Sequence, residues 1–304
     1  MSSHKAVEHT AANLDGLWTV IAKTRNFDNE VSSSKKAIVV IPGNPGLVEF
    51  YELFMECLYK LKGIPIIGFS HAGHSPIHPY TDEPMRTPPL TLQEQIQHKK
   101  DCVRQFIPDD CNIIFIGHSI GAYIILQLMD HIPERSLHGI LLFPTITNMI
   151  GTVDGKFWNL ITSYLKLPLL WTAYFSSYLP YALQDVLIRW RAKWRQIDAP
   201  IVPVCRRCVS WDVLSQGFRM VECELVEVKT LNPELSRIIR RYSNKLTVYY
   251  GDGDAWTPFS FYEEFIQKFP EVKTFYGRDG FKHDFVLDSS EGVARLCNKF
   301  IEKL

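Results

Sequence analysis

Residues 112–128 read N-I-I-F-I-G-H-S-I-G-A-Y-I-I-L-Q-L. Asn112 to Ile116 are mostly β-branched or aromatic, the mark of a buried strand. Ala122 to Met129 is apolar enough for a buried helix. Between them stands Gly117-His118-Ser119-Ile120-Gly121, a G-x-S-x-G pentapeptide. Strand, tight turn and helix are the setting in which this pattern lifts a serine Oγ above a sheet. The glycines two before and two after let strand and helix approach without a Cβ clash. The Ile120 N–H then faces the place where an oxyanion would develop. The pentapeptide alone arises by chance in ordinary chains, but the flanking elements argue for a nucleophile.

Length and charge bound the rest. A chain of 304 residues holds one large α/β domain with an insertion, or two small ones. Thirty-three basic residues balance thirty-three acidic ones, so no nucleic-acid partner is expected. Seven scattered cysteines read as reduced thiols in a cytosolic setting rather than as a disulfide frame. Cys205-Arg206-Arg207-Cys208 is a lone C-x-x-C, for which coincidence outweighs a zinc or redox role. The first ten residues, M-S-S-H-K-A-V-E-H-T, lack an apolar core, so no secretory signal is expected. No cofactor is called for.

Upstream of the serine, residues 1–35 are polar except for Leu17 to Ala22, expected as an edge strand. Ala37 to Ile41 is a continuous apolar run of the kind a central parallel strand needs. It ends in Pro42-Gly43-Asn44-Pro45-Gly46. Pro45 has no N–H, so Asn44 is the candidate second oxyanion donor, with Gly43 allowing close backbone approach. The competing reading is an ordinary Pro/Gly turn. Leu47 to Leu61 repeats apolar residues at helical spacing, Ile64 to Phe69 is the next strand, and Ser70-His71-Ala72-Gly73-His74 follows. His71, His74 and His78 have a spacing a metal site could use, but no H-E-x-x-H helix or acidic cluster accompanies them. The plainer expectation is a loop at the sheet edge whose His71 or His74 touches the substrate or buttresses the serine turn. Tyr80 to Pro89 reads as a surface loop, and Thr91 to Phe106 as a helix opening close to a capping box at Thr91 and Glu94. Gly139 to Pro144 is another buried strand. The alternation β, α, β, α, β, α, β predicts a mostly parallel, doubly wound α/β sheet.

At residues 145–195 the alternation stops, dividing the chain into a core of 1–144 and 196–304 and an insertion. The insertion is dense in aromatics, among them Trp158, Trp171, Phe175, Tyr178, Trp190 and Trp194. Residues 167–184 carry no charge, and residues 189–195 then alternate tryptophan with basic residues. A face resting in a membrane surface, with aromatic and basic residues at headgroup level, is the first reading. A dry cap over an apolar pocket is the second. A spanning helix, weakened by Pro168 and Pro180, is the third.

Toward the C-terminus, Lys245 to Tyr250 is a strand leading into Gly251-Asp252-Gly253-Asp254. Phe259 to Phe269 is a helix and Val272 to Tyr276 a last strand. Phe281 to Phe285 forms a loop before a final helix. In α/β-hydrolases the catalytic order is serine, acid, histidine. Of the histidines after Ser119, His131 lies on the helix behind it and His138 begins the next strand, which leaves His283. The acid belongs in the loop after the penultimate strand, where Asp254 is preferred to Asp252 because it lies further out. Ser119, His283 and Asp254 are thus the expected nucleophile, base and orienting acid, with Ile120 and Asn44 N–H groups holding the oxyanion.

Ile41-Pro42-Gly43-Asn44-Pro45-Gly46, Ser70-His71-Ala72-Gly73-His74, Gln95-Ile96-Gln97-His98-Lys99, Gly117-His118-Ser119-Ile120-Gly121, Leu142-Phe143-Pro144-Thr145 and Tyr249-Tyr250-Gly251 together resemble the lipid droplet-associated hydrolase family over nearly the whole chain. The resemblance implies an α/β-hydrolase fold with a triad at Ser119, Asp254 and His283. It implies residence on lipid droplets and the endoplasmic reticulum, on their cytosolic face, held by the hydrophobic insertion. It also implies sterol ester hydrolysis and a part in neutral-lipid storage. One departure is Ala255-Trp256-Thr257 beside the acid, where the family carries a proline and a cysteine; it leaves Asp254 in place.

Three functions therefore compete. The first is a serine esterase acting on a lipid ester at a membrane surface, its partners being that ester and the droplet or reticulum membrane. The second is a droplet-surface protein that binds or organises neutral lipid with little turnover. The third is a soluble small-ester hydrolase under a dry cap.

Overall fold

The computed structural model describes residues 6–75, 80 and 87–304. Eight strands form one sheet in the order β1-β2-β4-β3-β5-β6-β7-β8. They are β1 (Val7–Leu14), β2 (Leu17–Thr24), β3 (Lys36–Ile41), β4 (Ile66–Phe69), β5 (Asn112–His118), β6 (Ser136–Leu142), β7 (Leu246–Gly251) and β8 (Lys273–Gly277). Strands β3 to β8 are parallel, whereas β1 and β2 form an antiparallel hairpin joined to β4. The expected edge strand is therefore one place inboard. The true edge is β1, whose sequence V-E-H-T-A-A-N-L is too polar to signal a strand. It is held by main-chain pairing to β2 across a two-residue turn, Asp15 and Gly16, both at positive φ. The parallel, doubly wound core is as expected.

Alternation along each strand splits the core into two layers. Ala37, Val39, Ile41, Ile113 and Phe115 face one side. There they meet α1 (Phe27–Ser34), α3 (Leu92–Phe106) and α4 (Ile120–His131). Ile38, Val40, Ile114 and Ile116 face the other side, packed with α2 (Glu52–Lys62) and α12 (Ser290–Ile301). Thr91 caps α3: its hydroxyl accepts from the Glu94 amide and the Glu94 carboxylate accepts from the Thr91 amide.

Between β6 and β7 the chain builds six helices: α5 (Val153–Leu160), α6 (Lys166–Ser176), α7 (Tyr181–Arg195), α8 (Val202–Cys208), α9 (Trp211–Glu227) and α10 (Pro233–Arg241). Helix α6 packs on α9 and α7 packs on α8. The uncharged run 167–184 is cut in two, because residues 177–180 end α6 and Pro180 begins α7. Helix α6 continues α5 through a π-helical turn, Ile161–Leu165, and this run carries Asp154, Lys156 and Lys166, charges that a bilayer core disfavours. No described helix is long and apolar enough to cross a membrane. Helix α11 (Phe259–Lys268) follows β7, and after β8 the last helix is α12.

Candidate active site

Ser119 sits between β5 and α4 with φ 54° and ψ −122°, a conformation that strains any L-residue with a side chain. The surroundings leave no alternative path. A Cβ on Gly117 would run into the Gly121 carbonyl, and one on Gly121 into the Ile41 carbonyl. Only glycine allows strand β5, helix α4 and the end of β3 to meet so closely. The turn aims the Ser119 Oγ at His283 Nε2, 2.9 Å away.

His283 lies in the loop after β8, and its Nδ1 is 2.7 Å from Asp254 Oδ2. Asp254 follows β7 and is almost fully buried. Its Oδ1 accepts the Trp256 amide at 2.8 Å, and its Oδ2 accepts the Thr257 hydroxyl at 2.7 Å. Burial pulls this carboxyl up, but the His283 charge and these hydrogen bonds outweigh it and hold the group below its ordinary value. An ionised Asp254 fixes the Nδ1–H tautomer of His283, which leaves the Nε2 lone pair for the Ser119 hydroxyl. Asp252 points elsewhere: its carboxylate accepts the Tyr276 hydroxyl at 2.6 Å.

A second chain of hydrogen bonds lies behind the first. Gly43 N–H donates to the Tyr51 hydroxyl at 2.9 Å, and that hydroxyl lies 2.6 Å from His118 Nδ1. His118 Nε2 is 2.8 Å from the His283 carbonyl. The carbonyl only accepts, so Nε2 carries the proton and Nδ1 accepts from Tyr51. Burial, with His283 close by, presses the His118 pKa down to about 3, so the ring is neutral. Sequence reasoning missed Tyr51 and His118. His118 stood in the pentapeptide, but nothing in the spacing tied Tyr51 to it.

The sequence placed two backbone donors at Ile120 and Asn44. Ile120 is the first residue of α4, where an N–H has no intrahelical acceptor. The Asn44 N–H, after β3, has no hydrogen-bond partner among the described residues. His71 and His74 are fully buried and lie behind this loop: the His71 amide donates to the Gly46 carbonyl at 2.8 Å, and His74 Nδ1 is 2.6 Å from the Pro45 carbonyl. They buttress the Asn44 loop instead of the serine turn. His78 lies outside the described residues, and among those described no three His, Cys, Asp or Glu side chains converge to hold a metal ion.

The assembled groups open into a cavity of about 350 Å³. Asn44, Ser119 and His283 are at one part of its wall, and Met149, Trp158, Val213, Phe218 and Val221 make the rest mostly apolar. Glu224 of α9 and Cys208 of α8 also line it, two residues the sequence did not mark for this role. On the segment between β6 and α8, Tyr164, Phe175, Tyr178, Tyr181, Trp190 and Trp194 lie on the surface, and Trp190 and Trp194 are about 70% exposed.

A parallel sheet with a strained serine at the β5–α4 turn and a histidine and acid from later loops defines an α/β-hydrolase. Solved structures share the fold over nearly the whole chain. A carboxylesterase of Nitrososphaera gargenis superposes with TM-score 0.66 at 12% identity, covering 96% of this chain and 97% of that one. A haloalkane dehalogenase of Agrobacterium tumefaciens gives 0.65 at 11%, covering 98% and 97%. Such neighbours fix the fold and leave the chemistry to the site. The family model for lipid-droplet associated hydrolases matches residues 34–286. Proteins named lipid droplet-associated hydrolase are 34% identical in Rattus norvegicus (94% of this chain, 89% of that one) and 27% in Drosophila melanogaster (98% and 99%). The chain belongs to the lipid droplet-associated hydrolase family.

Proposed function

We propose that this protein is a serine hydrolase that cleaves a hydrophobic carboxylic ester, a sterol ester before others, at the surface of lipid droplets and the endoplasmic reticulum. The observation that carries the reading is the continuous path from Asp254 through His283 to Ser119 Oγ, ending in an apolar cavity. Ser119 Oγ attacks the acyl carbon while His283 takes its proton. The oxyanion rests on the Ile120 and Asn44 N–H groups. The bond to the alcohol breaks, and His283 returns the proton to the leaving oxygen. Water then attacks the acyl-enzyme with His283 again as base, releasing the carboxylic acid and restoring Ser119. Asp254 keeps the imidazole oriented and stabilises its protonated form.

The cavity is at the small end of ligand pockets, about 300–1,000 Å³. It suits an acyl chain, with a bulky alcohol extending along the cap. The names of the relatives support the droplet. The exposed aromatics, with Arg191 over the Trp194 ring and Arg206 over the Tyr181 ring, support a cap resting in the lipid surface. All seven cysteines are free thiols, in keeping with the cytosolic side.

The test is fluorophosphonate labelling of droplet-bound protein, wild type against Ser119→Ala, followed by turnover of sterol esters. Labelling and turnover that both vanish in the variant support the reading. A folded wild type that binds droplets but neither labels nor turns over sinks it in favour of a lipid-binding surface protein.

A further inference from the structure

The loop that carries the Asn44 N–H is not free-standing. The Asn44 side chain reaches across to the cap helix α9. Its Nδ2 donates to the Gly217 carbonyl at 3.0 Å and lies 3.4 Å from Glu224 Oε1. Gly217 and Glu224 are seven residues apart, two helical turns, so both face the same way. The amide lies close against the helix surface there: a Cβ at position 217 would stand 3.4 Å from Asn44 Oδ1, in van der Waals contact. Both α9 residues, like Asn44, line the cavity that holds Ser119 and His283.

Glu224 is an unusual residue for such a wall. It is buried, with 3% of its surface exposed, and no lysine, arginine or histidine pairs with it among the described residues. Its neighbour Glu222 does have a cation, Lys166 at 2.6 Å. A carboxyl kept from water without a counter-ion is costly unless it stays neutral. Burial pushes its pKa up to about 8, against the pull of the Asn44 hydrogen bond, so at neutral pH it is the uncharged acid. An uncharged acid can accept from Asn44 without setting a negative charge beside a developing oxyanion.

We propose that Glu224 is a positioning residue for the oxyanion hole: with the Gly217 carbonyl it grips the Asn44 side chain, so that cap helix α9 sets where the Asn44 N–H points. The inference rests on the assignment of that N–H as an oxyanion donor. It makes the cap part of the catalytic geometry as well as a cover. Arg195 adds a second tie, because this last residue of α7 pairs with Asp284, next to His283, at 2.6 Å. The cap thus holds the loops that flank Ser119 from both sides.

The test uses the full chain with a p-nitrophenyl ester of medium chain length and active sites counted by fluorophosphonate. Removing one donor costs about 10²–10³ in kcat, and a donor displaced by about 1 Å about 10². Glu224→Ala is expected to lower kcat per active site by about 10–100-fold, with KM within about twofold. It should weaken a trifluoromethyl ketone inhibitor, which forms the tetrahedral oxyanion, by the same factor. Glu224→Gln keeps a neutral acceptor at the same place and should restore most of both. Asn44→Ala retains the backbone N–H and loses the grip, and adding Glu224→Ala to it should cost nothing further. A normal kcat and normal ketone affinity in Glu224→Ala overturns the proposal, as does a loss seen only in KM, or additive losses in the double variant. If Glu224→Ala fails to fold, the Gln variant and the Asn44→Ala background decide. A wild type without labelling or turnover overturns the hydrolase reading itself and this proposal with it.

Discussion

His118 Nε2 lies 2.8 Å from the carbonyl oxygen of His283, so the residue before Ser119 holds the backbone of His283. The same ring receives the Tyr51 hydroxyl, which in turn takes the Gly43 N–H of the Asn44 loop. The three loops around Ser119 are therefore tied together by one neutral imidazole. His118→Phe fills the space but supplies no hydrogen bond. It strands a buried hydroxyl and a carbonyl, at roughly 1–3 kcal/mol for each unsatisfied group. The expected result is a lower unfolding midpoint together with a fall in kcat per active site of about tenfold, as the loops shift by a fraction of the displacement of about 1 Å that costs about 10². Wild-type kcat in a folded His118→Phe variant would show that the tie is not needed.

Asp254→Asn keeps the side chain's size and asks what the carboxylate does. Its Oδ2 accepts from His283 and Thr257, and its Oδ1 from two amides. An amide in its place turns an NH₂ toward one of these donors and favours the wrong imidazole tautomer. The loss expected in kcat is on the order of 10³–10⁴-fold, while acyl-chain binding persists. Stopped-flow measurement of acylation checks it. A loss below tenfold would move the acid role to another residue.

Much of this site was legible because its chemistry is local or ordered. The strand–turn–helix around Ser119 declares itself by β-branched residues, two glycines and an apolar helix within seventeen positions. His283 follows from chain order once His131 is placed on the helix behind Ser119 and His138 at the start of the next strand. Asp254 is preferred to Asp252 on two residues of reach, and the loop geometry bears on it through Thr257 and Trp256. The edge strand β1 was hidden because main-chain pairing, and not apolar alternation, holds it. Tyr51, His118 and Glu224 were hidden for a different reason. Their partners are 67, 165 and 180 residues away, so no spacing in the chain records the contact.

Five buried histidines give the fold a marked acid lability. His71, His74, His98, His118 and His138 are all pressed below their ordinary pKa, first of all by burial, His74 and His138 to about 4 and His118 to about 3. Below pH 6.5 the unfolded chain binds protons that the folded chain does not, so stability falls as pH falls through that value. Each such group contributes about 1.4 kcal/mol per pH unit. The five together remove about 7 kcal/mol per unit, enough to exhaust a typical stability of about 5–15 kcal/mol within a few units. Glu224 acts with the opposite sign. Its folded pKa of about 8 stands above the unfolded value, so stability falls as pH rises from about 4.5 to 8. Denaturant titrations are expected to show steep loss from pH 6.5 to 5 and a shallow decline from pH 6.5 to 8. The shallow limb should be absent in Glu224→Gln, and a flat acid limb would contradict the buried neutral histidines.

The cap surface makes the last prediction. Residues 145–209 carry eight lysines and arginines against three aspartates, in a chain whose total charge is zero. Arg189 is paired with Asp185 on its own helix, and the Arg191 guanidinium lies 4.5 Å over the Trp194 ring. This joins charge to an aromatic that is itself about 70% exposed. Aromatic rings should enter the acyl boundary while the cations meet anionic headgroups. Burying one such ring is worth roughly 2 kcal/mol, and the charges are screened beyond a Debye length of about 10 Å at 0.1 M salt. Flotation with phosphatidylcholine vesicles should therefore recover the protein, more strongly when phosphatidylserine is included, and added salt should remove only that increment. Trp190→Ala with Trp194→Ala should weaken binding at least about tenfold on both vesicle types, and should cancel the blue shift of tryptophan emission on mixing. Undiminished flotation of the double variant would place the lipid contact on another face of the molecule.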